Sequence, residues 1–282
     1  MSKKEKVQEP EYLASPLNNM MLNYSVYVMN KFERIAVTAI AFIAGGFASL
    51  IFYGNLFMVD GYPTVFTHIS NCVFFIVLGV LAVKFIVPMY KKRCLEKRNI
   101  KLKNQFRDML ESLSTSLSTG SNVQKSFEAA LVDLQMQYGD SEYIVCELQE
   151  IINGMNQNIN IEVMLSDFGK RSGNEDIVSF ADVFEVCYRK GGNLNSVLQR
   201  THSVMSSKMA VADEIETKLT SNKMQHNIMS IMPIVVVAML RFTNESFNAN
   251  FATPTGVLVN TIAIGIFVGS YIYGNKIVDV KE

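Results

Sequence analysis

The chain has 282 residues, 49% of them apolar, and its 26 basic residues balance 26 acidic ones. With a positive mean hydropathy, this composition places it near the membrane class. The neutral total hides an asymmetry. Eight basic residues between Lys84 and Lys103 face one acid, Glu96, whereas Gln105 to Asn227 carries 17 acids against 10 bases. A nucleic-acid binder spreads its bases over a folded face. Here they crowd against the end of an apolar run, which argues against nucleic acid as a partner and for membrane topology.

In chain order, residues 1–34 form a mostly polar segment whose length argues against a cleaved signal peptide. Ile35 to Met58 is 24 residues without a charge, about 36 Å as a helix and longer than the hydrocarbon core. Asn30, three residues before Glu33, is placed to cap it. A second span runs over 66–89, interrupted by Lys84, which lies close enough to the basic cluster to extend its amine to the interface. These two spans form a hairpin over 35–90.

Residues 91–227 contain no proline between Asn104 and Asn227 and show a persistent three-to-four-residue apolar spacing, which predicts a bundle of about six antiparallel helices. The predicted stripes are Phe106, Met109, Leu110, Leu113 and Leu117; Phe127, Ala130, Leu131 and Leu134; Ile144, Leu148, Ile151 and Ile152. Next come Val163, Leu165 and Phe168, then Ile177, Phe180, Val183, Phe184 and Cys187. The sixth, from Leu194, carries Val197, Leu198, Met205, Val211, Ile215 and Leu219 and is able to continue into a third span.

The breaks between these helices share a form: a Gly or Asn closes one helix and an Asn caps the next. The punctuating residues are Gly120 and Asn122, Gly173 and Asn174, and Gly191, Gly192 and Asn193. Glu175 and Asp176 follow in a first turn, where the helix dipole favours them. The "RKGGNL" stretch resembles a phosphate loop only superficially. Its glycines are adjacent and follow a helix, whereas phosphate and dinucleotide loops need spaced glycines after a strand.

A third span over 227–242 has an apolar run of 13 residues containing Pro233, so it suits either a re-entrant or a crossing helix. A fourth covers 256–274, completing a second hairpin over 228–274 before a tail at 275–282. Neither outer connection, Val59 to Val65 or Thr243 to Thr255, contains Lys or Arg. The N-terminal tail holds Lys3, Lys4, Lys6, Lys31 and Arg34, and positions 91–103 hold seven bases. The positive-inside rule then puts both termini and the helical segment in the cytoplasm. The expectation is an all-α, multi-pass membrane protein with four spans and a cytoplasmic helical domain.

Cys72, Cys94, Cys146 and Cys187 lie far apart without CxxC, which reads as small buried thiols in a reducing compartment. His68, His202 and His226 are equally dispersed and receive no role. Acid groups such as Asp213, Glu214 and Glu216 read as solvated faces, and nothing forms a catalytic, cofactor or metal constellation. The methionine groups at Met20 and Met21, Met205 and Met209, and Met224, Met229 and Met232 fit either a partner surface or ordinary filler.

From Asn104 to Arg241 the chain resembles the F domain of type II secretion and type IV pilus platform proteins. The matching stretches are the "LxxLSxSLxxG" helix ending at Gly120, "RSGNEDI" with "FADVF", "RKGGNL", and "IMPI" at the third span. The N-terminal "NYSVYVMNKFER" and the two-spans, domain, two-spans layout resemble the shorter members of Tad (tight-adherence, Flp-type) pilus systems. The resemblance implies an inner-membrane platform, not an enzyme, that couples a cytoplasmic assembly ATPase to pilin extraction and polymerisation. A single F domain implies self-association or a second F-domain protein. The chain departs from the pattern in its long first basic segment and short third span. A membrane-anchored helical signalling or scaffold module is the alternative, but outer connections of 7 and 13 residues leave no room for a ligand-binding domain.

A reporter active only in the cytoplasm, fused after Glu282, is expected to be active; silence there would mean three spans.

Overall fold

The computed structural model describes residues 10–54, 56, 64–244, 247, 250 and 253–278, with the side chains of 216, 218–223, 254 and 275–278 outside the description. Lys3, Lys4 and Lys6, residues 59–63 of the first outer connection and 245, 246, 248, 249, 251 and 252 of the second, the side chains of Glu216 and Leu219, and the end of the C-terminal tail therefore lie outside the described residues.

Two short strands, β1 (Tyr12–Ala14) and β2 (Met20–Leu22), form an antiparallel hairpin pairing Tyr12 with Leu22 and Ala14 with Met20. Helices follow: α1 (Lys31–Tyr53), α2 (Val65–Ser118), α3 (Val123–Tyr138), α4 (Tyr143–Asn156), α5 (Ile161–Ser172), α6 (Glu175–Lys190), α7 (Leu194–Thr243) and α8 (Pro254–Val278). The second apolar run and the first polar helix expected from sequence are one 54-residue helix, α2, and the sixth helix continues into the third apolar run as the 50-residue α7. Four helical stretches are long and apolar enough to cross a membrane: α1, α2, Met224–Thr243 of α7 and Thr255–Gly274 of α8. The third apolar run is thus continuous helix through Pro233, which occupies an interior position.

The chain divides into two compact units, Met1–Val28 with Lys91–Val211, and Met29–Tyr90 with Ala212–Glu282. The N-terminal segment expected at 1–34 is accordingly divided. Its residues up to Val28 belong with the helical unit.

The core of the first unit is a row of aromatic rings. Phe106 meets Phe180 at 5.4 Å, Phe180 meets Phe184 at 5.7 Å, and Phe184 meets Phe127 at 6.4 Å, all edge-on or tilted as ring quadrupoles prefer. Leu102, Met109, Leu110 and Leu113 from α2, with Ile144, Leu148 and Ile151 from α4, complete it. Three expected stripes are corrected. Val163 is exposed, because the buried face of α5 is Ile161, Met164, Leu165 and Phe168, spaced i, i+3, i+4, i+7, and Val163 falls opposite it. Val183 is exposed on α6. On α7, among the described side chains, only Leu198 and Met205 of the expected stripe are buried, while Val211 and Ile215 are exposed.

In the second unit, glycines let α1 and the start of α2 approach closely. A Cβ at Gly46 would lie 2.3 Å from the Phe75 ring, and one at Gly79 would lie 2.7 Å from the Phe42 ring. Phe42 and Phe75 are themselves 5.6 Å apart, edge to face. Small residues at apolar helix crossings maximise van der Waals contact where no hydrophobic gradient drives association. His226 of α7 stacks on Tyr271 of α8 at 5.5 Å, a fit that the missing side chain of Gly274 permits.

Candidate functional site

The punctuating residues sit where the sequence places them. Gly120, Gly173 and Gly191 each adopt positive φ (86°, 63° and 69°) at the end of α2, α5 and α6. Asn158 takes the same conformation (61°) after α4. Asn122 accepts from the Lys125 amide at 2.8 Å, Asn174 from Asp176 at 2.9 Å, and Asn193 from Ser196 at 3.1 Å, capping α3, α6 and α7. Gly192 differs: it needs no positive φ, and a Cβ there would make only 3.4 Å contacts. Its amide donates to the Cys187 carbonyl at 2.8 Å, closing α6. The "RKGG" stretch is a corner between two helices.

These corners do not form one cluster. Asn195 at the start of α7 accepts from Ser114 Oγ at 2.8 Å and donates to Ser118 Oγ at 2.6 Å, joining the Gly191–Asn193 corner to the Gly120 corner. Gln124 donates to Asn156 at 3.1 Å, bringing the end of α4 beside the start of α3. Gly173 stands elsewhere, against Ser25, whose Oγ would lie 2.6 Å from a Cβ at that position. That glycine serves both its φ and the close approach of the N-terminal segment.

The most buried polar cluster involves none of the site residues singled out from sequence. Arg171, 2% exposed, donates from Nη1 and Nη2 to the two carboxylate oxygens of Glu147, itself fully buried, at 2.7 Å each. Its Nε donates to Asp167 at 2.7 Å and Nη1 also reaches the Leu22 carbonyl at 3.2 Å. Tyr24 Oη donates to Glu147 at 2.9 Å, and the Tyr24 amide donates to the Arg171 carbonyl at 2.8 Å. Beside it, Glu150 accepts from Ser15 Oγ at 2.5 Å and from Asn19 Nδ2 at 2.9 Å. The β-hairpin is therefore fastened to α4 and α5 through charge-assisted bonds. Burial opposes the charge on Arg171, but the hydrogen bonds and charges of Glu147 and Asp167 outweigh it and raise its pKa. For Glu147 burial pushes the pKa up and outweighs the lowering by Arg171 and Tyr24, opposite in sense to a stabilised carboxylate. The bidentate guanidinium and third donor favour the ionised form, so the geometry decides for an ion pair whose desolvation is a standing cost. Burial, then the Glu147 charge, raise the Tyr24 phenol as well. A sequence signal did exist: Glu147 and Glu150 fall on the apolar face of Ile144, Leu148 and Ile151.

Much of the basic cluster is also used internally. Arg98 donates to the Val26 carbonyl at 2.9 Å and lies 4.8 Å above the Tyr27 ring. Lys101 pairs with Glu142 at 2.8 Å, and Lys103 pairs with Asp176 at 3.3 Å. Asp176, expected as a first-turn acid, does more: it also binds Lys208 at 2.5 Å and so joins α2, α6 and α7.

In the second unit, Arg241 donates to the carbonyls of Leu50, Ile51 and Gly54, and Asn260 donates to that of Phe52 at 2.6 Å. Leu50 already accepts from the Gly54 amide at 3.0 Å, whereas Ile51 and Phe52 are among the last carbonyls of α1, which helix geometry leaves without an intrahelical amide. A guanidinium at the negative end of the helix dipole meets both needs.

Cys72 and Cys146 are exposed, a correction to the expectation of buried thiols. Cys72 shares its outward face with Ile69, Val73 and Ile76, and Cys146 lies opposite the buried stripe of α4. The methionine groups divide: Met205 is core, whereas Met224, Met229 and Met232 are exposed along α7. Among the described residues, no three His, Cys, Asp or Glu converge as a metal site would require. No protein-family model, curated protein or solved structure matches the chain.

The surface ion pairs set a pH dependence. The pKa of Glu142 is lowered chiefly by the Lys101 hydrogen bond; at Asp176 burial raises the pKa, but Lys208 and Lys103 outweigh it and hold it low. Depressed carboxylates stabilise the fold fully above their unfolded pKa values, 4.5 and 3.8, and lose that contribution as pH falls through the lower folded values. Thermal unfolding of the detergent-solubilised chain is expected to show a falling Tm over that acid range. Glu142→Gln and Asp176→Asn together should lower the neutral Tm and flatten the acid limb. An unchanged slope would refute this assignment.

Proposed function

We propose that the chain is an inner-membrane platform protein of a Tad-type, type IV pilus or type II secretion-like machine, coupling a cytoplasmic assembly ATPase to extraction and polymerisation of pilin subunits. The observation that carries this reading is the layout: apolar helices flank a helical domain on both sides, and α2 and α7 each contain apolar and polar halves in one uninterrupted element. On this reading the domain and both termini are cytoplasmic, and the bundle is antiparallel. The contacts that join α2 to α7 through Asn195, and α3 to α4 through Gln124 and Asn156, support that arrangement.

The physical role follows. Inserting a pilin requires work on a subunit anchored in lipid, while ATP is hydrolysed in water. Helices shared by domain and spans are suited to carry displacement between the two, since an α-helix resists axial compression and moves as a unit. The acidic domain supplies the surface met by the ATPase, and the membrane, pilin and a second F-domain copy or relative complete the partners. The resemblance in the 104–241 stretch supports the same assignment.

Deleting the chain in its host should leave pilin synthesised and membrane-inserted but abolish surface pili or the secreted substrate, with restoration from a plasmid copy. Normal pili and secretion in the deletion strain would overturn the reading.

A further inference from the structure

The platform reading requires an assembly but does not say which surfaces build it. Two exposed surfaces of the helical unit are complementary in charge: one offers a groove with a basic rim, the other an apolar stripe with acidic flanks. The first is a groove between α6 and α7 with a volume of about 510 Å³, floored by Phe180 and Met205 and walled by Val183 and Val204. Val183 and Val204 remain 46% and 47% exposed and line the same groove, so their apolar surface is contiguous with it. The rim is basic although the domain is acidic overall: Lys208 is present with Asp176, and Arg200 is exposed with no ion-pair partner among the described residues.

The second surface is the outer face of α3. Its inner face, Phe127, Ala130 and Leu134, is spent on its own core. Outward stand Ala129, Val132 and Met136, spaced three and four apart, with Met136 83% exposed. Glu128 and Asp133 flank this stripe, both exposed; Glu128 accepts from Gln124 at 3.2 Å and Asp133 from Ser112 Oγ at 2.6 Å, but neither is in an ion pair among the described residues. A short apolar stripe with acidic flanks is what an apolar groove with a basic rim recognises in helix-in-groove binding.

We propose that α3 of one copy docks into the α6–α7 groove of a second copy, with Val132 and Met136 against Val183 and Val204 and with Glu128 or Asp133 meeting Arg200. The two surfaces differ, so the contact is heterologous: each copy offers a groove to one neighbour and a helix to the other. Such contacts propagate into a closed ring or an open chain instead of stopping at a two-fold dimer. The inference rests on the platform reading for its purpose, not for its geometry.

The test uses the full chain in its native membrane with a benzophenone amino acid in place of Met136, a position whose exposure tolerates it. Irradiation is expected to give a ladder of covalent oligomers, with the cross-link mapped to residues 180–208. Arg200→Glu should reduce the yield at least about tenfold, as a like-charge contact costs well over the 1.4 kcal/mol that a factor of ten represents. Adding Glu128→Arg and Asp133→Arg should restore it, a rescue that a merely misfolded variant would not show. Cross-links to a different protein only, cross-links elsewhere on the chain, a dimer without a ladder, or no product would each overturn the proposal. The deletion strain decides the platform reading separately, so the two failures are distinguishable.

Discussion

The buried bond between Arg171 and Glu147 is the constraint on which the helical unit depends. Two charges removed from water are tolerable only when every polar atom finds a partner, and here the partners come from three places. Asp167 lies on the same helix, Glu147 on another, and the Leu22 carbonyl and Tyr24 hydroxyl on the N-terminal segment. Loss of one member would strand the others without solvent, at a cost of roughly 3–5 kcal/mol for a buried pair. The cluster therefore ties a segment preceding the first apolar helix to residues more than a hundred positions later.

The same logic of satisfying polar groups out of water recurs at the end of α1. There the Ile51 and Phe52 carbonyls left over by helix geometry are met by Arg241 and Asn260, which gives an arginine in an apolar setting a structural role. Lys101, Lys103 and Arg98 show that a basic cluster beside an apolar run is not only a topology signal. These three cations are spent on Glu142, Asp176 and the Val26 carbonyl, and Lys92 pairs with Glu96 on its own helix.

What sequence made legible was what is locally encoded. Helix corners at Gly120, Gly173 and Gly191 are written in residues that accept positive φ, and caps at Asn122, Asn174 and Asn193 depend on atoms two or three residues away. Periodicity located the helices but over-read α7, because an apolar position such as Val211 scores the same whether or not another helix lies against it. It also misplaced Val163, one position from the buried Met164. The β-hairpin was invisible for a different reason. Its strands are three residues long, separated by a turn that contains Pro16, and the segment is held by Glu147, Glu150 and Arg171, partners with no local trace near residue 20.

Hydrogen exchange at the Tyr24 amide, which donates to the Arg171 carbonyl, tests the central constraint most directly. In the full chain it should be protected, and Arg171→Met should speed exchange across residues 12–24 by about a hundredfold, the equivalent of roughly 3 kcal/mol, while amides of α3 keep most of their protection. Exchange in the unaltered chain as fast as in an unstructured peptide, or unaffected by the substitution, would contradict the account.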